Sequence, residues 1–257
     1  MLDSVEWMLT NVFPQEMNVD HDFKILNFHE WLLSKINSNE IQLTNKISLE
    51  VTIHDNCYSK AGGGKYWDYP RQLLHKLGCT IIEMEHNKEN SLCCGFGSGA
   101  SWVKSFSVAF DILTVTQRKI KEIEDTKADA LVSYCGGCLY LLWAARELFG
   151  SQIDIYHIVE LIRIGMGEKI NYPKTNIQRA WDIIAIITYH LFLSLFNKPF
   201  KIKEIRFRKN QWKKKRFMLL QVIRKLFDFK IIRAVYRKLF QFMLPRFSTI
   251  KHHQSNP

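Results

Sequence analysis

Five of the six cysteines in this chain follow a pattern. Cys57 stands alone. After 35 intervening residues comes the pair Cys93-Cys94, followed by Gly95. After 40 more comes Cys135-Gly136-Gly137-Cys138. Adjacent thiolates can serve two irons, and a CxxC lets two sulfurs meet one metal ion or pair with each other. An iron–sulfur cluster needs several thiolates on loops that fold around it. Four thiolates also make an ordinary zinc site, but a fifth exceeds what tetrahedral zinc uses, which favours iron–sulfur. A third reading needs no metal: dithiol redox at Cys135 and Cys138. Gly62, Gly63, Gly64, Gly95, Gly97, Gly99, Gly136 and Gly137 crowd these positions. Without a Cβ they let backbone N–H groups approach sulfur and tune it. Cys79 lies outside the pattern in an apolar stretch and reads as a packing residue.

The elements that carry these loops alternate. Strands are expected at Phe23–Asn27, Leu49–His54, Cys79–Met84, Ala130–Tyr134 and Ile153–Tyr156. Helices are expected at Phe28–Ile36, Asp68–Leu77 with Gly78 as its cap, Ala100–Asp125, Leu139–Phe149 and Ile158–Ile164. In the long pattern from Ala100, Trp102, Phe106, Ala109, Leu113 and Ile120 share a face. Such alternation predicts an α/β fold, a largely parallel sheet with flanking helices. Cys57 would follow one strand and Cys135 another, at the carboxyl ends where open α/β sheets place their sites.

Charge divides the chain differently. The formal net charge is +11. Residues 198–257 hold 18 Lys plus Arg against Glu204 and Asp228, so the rest is mildly acidic. That predicts two parts: a cysteine-rich domain over 1–170 and a basic α-helical C-terminal extension over 171–257. The extension reads as two amphipathic helices with a break near Phe229 and an end at Pro245. One polar face carries Gln221, Arg224, Lys225 and Asp228, the other Lys230, Arg233, Arg237 and Gln241. Their apolar faces need a partner: the body, another subunit or a membrane surface. Phe207, Trp212 and Phe217 among the basic residues suit nucleic acid less well than the amphipathic helices suit those partners. Ile183–Phe196 is too short for a span of about 20 residues. The first ten residues read as no signal peptide, and the sparse cysteines point to a reducing cytoplasm.

Other residues invite functional readings beside plainer ones. His54 could donate to a cluster or substrate sulfur, or simply hold its loop. His157 reads as a helix-start residue. Lys60 and Lys65 could attract an anionic disulfide or steady an anionic cluster, or stand in solvent. The Gly62, Gly63, Gly64 run is no P-loop, because no Lys-Ser or Lys-Thr follows on a helix.

Taken together the motifs resemble the CCG, or cysteine-rich, domain found in heterodisulfide reductases and in the iron–sulfur component of glycolate oxidases. The resemblance rests on His54-Asp55-Asn56-Cys57, Tyr69-Pro70-Arg71 with Leu73-Leu74, Cys93-Cys94-Gly95-Phe96-Gly97, the CxxC, and Tyr156-His157 with Glu160-Leu161. It covers about residues 15–170. It implies that Cys57, Cys93, Cys94, Cys135 and Cys138 bind a non-cubane [4Fe–4S] cluster and serve as the catalytic, cofactor and metal residues. It also implies electron transfer to a disulfide or related small substrate inside a multi-subunit oxidoreductase. Asn56 stands where the family usually has Pro, and one CCG half is present where members usually carry two. No ferredoxin motif is present. The resemblance therefore implies a ferredoxin-type partner subunit and a separate chain with the missing half. The alternative is a zinc-stabilised scaffold that anchors a redox complex through its basic tail.

Overall fold

A computed structural model describes residues 6, 8–19, 22–96, 106–170, 174–196 and 218–250. Gly97, Gly99, Trp102, the expected helix start at Ala100 and the segment with Phe207, Trp212 and Phe217 lie outside them. By internal packing the chain forms two compact units. The first takes residues 1–94, 121–139 and 153–172; the second takes 95–120, 140–152 and 173–257.

The first unit is built on four parallel strands: β1 (Glu50–His54), β2 (Thr80–Ile81), β3 (Ala130–Ser133) and β4 (Asp154–His157). Their order is β2-β1-β3-β4. β3 is buried throughout and β1 beyond its first residue, as expected of central parallel strands covered on both faces. The register aligns His54 with Ser133 and Ser133 with His157, so three strands end level. From β1 the chain crosses to β2 on one side, then back to β3 on the other. The switch point therefore lies between β1 and β3, where such sheets hold their ligands.

The helices of this unit are α1 (Phe13–Glu16), α2 (Phe28–Asn37), α3 (Cys57–Gly62), α4 (Gly64–Leu77) and α7 (Ile158–Gly165). Two more, α5 (Val108–Asp125) and α6 (Gly136–Phe149), contribute residues to both units. Along α4, Tyr66, Pro70, Leu73, Leu74 and Leu77 recur at helical spacing and are buried. Leu73, Leu74 and Leu77 join Leu33, Val51, Ile53, Val132 and Leu161 in one core. Gly78 ends α4 with φ 90° and ψ 13°, a left-handed cap that a side chain would strain. His157 starts α7 in a reciprocal cap with Glu160, which accounts for the Tyr156-His157 and Glu160-Leu161 pairing.

Several expected elements differ in extent. Phe23–Asn27 is not a strand. Asn27 instead caps α2, accepting from the N–H groups of His29 and Glu30, and donates to Glu6. The expected strand at Cys79–Met84 shrinks to Thr80–Ile81, because the chain leaves the sheet and carries Glu83 to Arg71. α4 and α6 start earlier than expected, at Gly64 and Gly136.

The second unit packs parts of α5 and α6 with α8 (Lys174–Leu195), α9 (Met218–Leu226) and α10 (Lys230–Phe247). Its core holds Phe110, Leu113, Trp181, Ile184, Phe240 and Leu244. Ile183–Phe196 lies mostly within α8, and no described helix is long and apolar enough to cross a membrane. Pro245 does not close α10; it sits in its last turn, two residues before the end. Part of the polar face of α10 is engaged within the unit, Arg233 donating to Gln178 and Gln241 to the Leu148 carbonyl, while Lys230 is exposed.

Leu74 is fully buried between α4 and the sheet. Leu74→Ala is expected to cost about 2–5 kcal/mol, read as a lower thermal midpoint of the first unit.

Candidate metal centre

Each cysteine loop starts where a strand or turn delivers it. β1 ends at His54, and Cys57 opens α3 three residues on. Asn56 caps that helix: its Oδ1 accepts from the N–H groups of Tyr58 (3.0 Å) and Ser59 (3.1 Å). A proline there would lack this acceptor, so asparagine fixes the turn by a different means. β3 ends at Ser133. Cys135 precedes α6, and Cys138 lies in its first turn. Cys93 and Cys94 arrive after a short 3-10 turn at Lys88–Asn90. Gly95 follows with φ 95°, a left-handed turn for which glycine is suited.

One buried carboxylate ties these loops together. Arg71 grips Asp55 with two parallel bonds, Nη1–Oδ1 at 2.9 Å and Nη2–Oδ2 at 2.8 Å. The same guanidinium holds Glu83 at 2.6 and 2.8 Å. Asp55 also accepts from the Lys88 N–H (2.7 Å) and the Tyr134 hydroxyl (2.9 Å). Its backbone carbonyl accepts from the Ser91 hydroxyl at 2.7 Å. Asp55 is two residues before Cys57, Ser91 two before Cys93, and Tyr134 one before Cys135. All three cysteine loops are thus pinned to one residue. Burial works to raise the Asp55 carboxyl, but Arg71, Lys88 and Tyr134 together hold it below the usual carboxylate range.

The thiols converge beyond this anchor. Cys94, Cys135 and Cys138 are buried; Cys57 and Cys93 are exposed at the rim. The Cys94 and Cys138 sulfurs touch at 3.1 Å, unbonded. Cys94 and Cys138 share a hydrogen bond, and Cys93 also bonds Cys94. Against burial, these bonds hold the Cys94 thiol far below its ordinary range, with His54 adding to the effect. Cys135 is drawn down to about 5, first by the Cys138 thiol, then by the N–H groups of Cys138 and Gly137. Cys138 correspondingly keeps its proton, held by Cys135 and then by Cys94. The Cys57 thiol is pushed up by burial and by the negative charge of Cys94 and Cys135. Each of the five patterned cysteines thus acts on, or is acted on by, at least one other.

This arrangement gathers thiolate charge in a buried place, which is costly unless a cation neutralises it. One ring nitrogen of His54 lies within 4.8 Å of the Cys94 and Cys138 sulfurs. The donor set, soft sulfur with one imidazole, suits zinc or an iron–sulfur group. Cys79 stays apart. It is buried in the apolar core, and burial pushes its thiol up to about 11. Lys65 is engaged by Glu6 at 2.9 Å, and Lys60 donates to the Ser91 carbonyl at 3.3 Å. Sequence reasoning passed over the shared anchor. Asp55 and Arg71 were visible as motif letters, but nothing in their spacing said that they meet.

Residues 51–142 match the family model of the CCG cysteine-rich domain, a stretch that contains all five patterned cysteines. The match is confined to residues 51–142, about a third of the chain. It is 28% identical over 156 residues to a component of the dihydromethanophenazine:CoB–CoM heterodisulfide reductase of Methanosarcina acetivorans, covering 60% of this chain and 37% of that one. It is 28% identical over 142 residues to the EtfAB:quinone oxidoreductase of Syntrophomonas wolfei, covering 52% and 19%. It is 25% identical over 174 residues to the probable iron-sulfur-binding oxidoreductase FadF of Bacillus subtilis, covering 62% and 23%. The chain thus spans well under half the length of these curated relatives.

Two outcomes follow from the Asp55 anchor. Arg71→Leu leaves the Asp55 carboxylate buried without its main partner and is expected to cost about 3–5 kcal/mol, measured by denaturant unfolding. Because the Asp55 pKa is depressed in the fold, its contribution is complete above the ordinary carboxylate value of about 3.9 and is lost as pH falls through the folded value. Asp55→Asn should remove that acid limb from a plot of stability against pH.

Proposed function

We propose that this chain is an iron–sulfur oxidoreductase subunit, heterodisulfide reductase-like, that passes electrons to a disulfide or related small substrate. The observation that supports the reading is the contact of Cys94 with Cys138, with Cys135 hydrogen-bonded to Cys138 and with Cys57 and Cys93 each acting on this set or acted on by it, beyond the ends of β1 and β3. The CCG match supports it, as do relatives whose names describe heterodisulfide reductase and iron–sulfur oxidoreductase. Cys57, Cys93, Cys94, Cys135 and Cys138 would hold the group, a [4Fe–4S] cluster of the non-cubane kind in this proposal. When bound, it would supply one-electron chemistry at sulfur.

The chain's own residues divide the remaining work. Buried Cys94, Cys135 and Cys138 form the floor and keep water from it. Cys57 and Cys93 at the rim are where a substrate sulfur or partner would approach. Lys60, three residues after Cys57, adds positive charge on that side for an anionic substrate. Asp55 and Arg71 hold the loops in register without touching the reacting atoms.

The reading carries partners with it. A ferredoxin-type subunit would supply electrons, and a second chain would supply the other CCG half. The C-terminal helices suit peripheral contact with an anionic membrane. They bury Leu220, Phe227, Phe240 and Leu244, yet present a second apolar stripe outward. Val222, Leu226, Ile231, Val235, Leu239 and Phe242 are exposed, Ile231 by 79%, with Lys225, Lys230 and Lys238 beside them. An apolar stripe bordered by lysines is the pattern of a helix lying in a bilayer interface.

The second reading is a zinc-stabilised scaffold, favoured by the compact set of His54, Cys94 and Cys138. Anaerobic purification with iron, sulfide and zinc analysis separates them. About four irons per chain are expected, falling sharply in C94S or C138S. One zinc without iron would replace the redox reading by the scaffold. For the helices, wild-type protein should float with vesicles containing anionic lipid, and I231E/V235E should not. Equal flotation of both would remove the membrane contact.

A further inference from the structure

His54 is the last residue of β1, in register with Ser133 of β3, and is 1% exposed. Among the described residues neither of its ring nitrogens has a partner within ordinary hydrogen-bond reach, although the ring acts on the nearby Cys94 sulfur. An imidazole carries at least one N–H, and a buried donor without an acceptor is costly and rare in folded proteins. The plainer reading, a hydrogen bond that holds the loop, finds no partner here: the loop is held by Asp55 and Asn56 instead.

The ring does face something. One nitrogen lies within 4.8 Å of the sulfurs of both Cys94 and Cys138. Five cysteines already exceed the four thiolates of a tetrahedral zinc, and they can supply a thiolate to every iron of a four-iron group. The imidazole is therefore not needed as a ligand. What it can still offer is an N–H directed at sulfur.

We propose that His54 is a positioning residue for the metal group, donating an N–H hydrogen bond to a sulfur of that group at the Cys94 and Cys138 side and raising its reduction potential. The proposal rests on the reading that these cysteines hold an iron–sulfur group. The physical basis is general: a hydrogen bond to cluster sulfur withdraws negative charge and favours the reduced state. It also gives the orphaned donor its acceptor, so the site is complete only when loaded.

The test uses the full chain, purified anaerobically, as wild type and as H54L, H54N and H54Q. Leucine fills the space without a donor; asparagine and glutamine place an amide N–H near one or other ring nitrogen. Iron and sulfide per chain are measured first, then the midpoint potential by titration followed in EPR and visible absorption. The expected result is wild-type iron in all four proteins, a lower midpoint in H54L, and a midpoint restored toward wild type by H54N or H54Q. Loss of iron from H54L alone, with retention in H54N or H54Q, supports the same donor. A wild-type midpoint and spectrum in H54L overturn the proposal. Loss of iron from all three variants also overturns it, because the ring would then be a ligand. Wild-type protein without iron overturns the cluster reading itself, and the proposal with it.

Discussion

The site depends on the buried pair of Asp55 and Arg71. A carboxylate out of contact with water is tolerable only when paired and fully hydrogen-bonded, and Asp55 is both. Such a pair adds little net stability over apolar residues of the same shape, but losing one partner is severe. Its value here is geometric. Five bonds reach Asp55 from α4, the Lys88 turn, Tyr134 and Ser91. The three cysteine loops, far apart in sequence, therefore cannot drift independently.

That rigidity matters because the site gathers thiolate charge. Cys94 and Cys135 are both drawn toward the thiolate form while buried, and their charges bear on Cys57 and Cys138 beside them. The fold answers in part by keeping a proton on Cys138 between them. It answers further with N–H groups at the start of α6, which point at Cys135. The remaining charge is what a metal group would neutralise. Metal binding and folding of these loops are then linked, since ligand thiols must lose protons and stay in place together.

The C-terminal helices follow a different rule. Their basic residues do not simply point to solvent. Arg224 pairs with Asp182 at 2.9 Å, and Arg233 stacks on Trp181. With those cations used inside the second unit, hydrophobic side chains are left facing out. The amphipathic pattern is thus read twice, once by the unit's own core and once by whatever meets the outer stripe.

The sequence by itself determined the α/β class, the order of most elements and the five-cysteine pattern. Hydrophobic periodicity and cysteine spacing are local signals that survive without coordinates. It also placed the helix from Phe28, the cap at Gly78 and the role of His157 as a helix-start residue. It misread Phe23–Asn27, because FKILN has strand composition but Asn27 is used as a cap. It overextended the strand at Cys79–Met84, because only the fold shows Glu83 leaving the sheet for Arg71. Tertiary structure alone decided that Asp55 joins three loops, that Cys94 and Cys138 touch, and that His54 faces both sulfurs with no other partner among the described residues. The reason is physical. These are contacts between residues tens of positions apart, and their distances depend on how the sheet and helices pack, which no local spacing encodes.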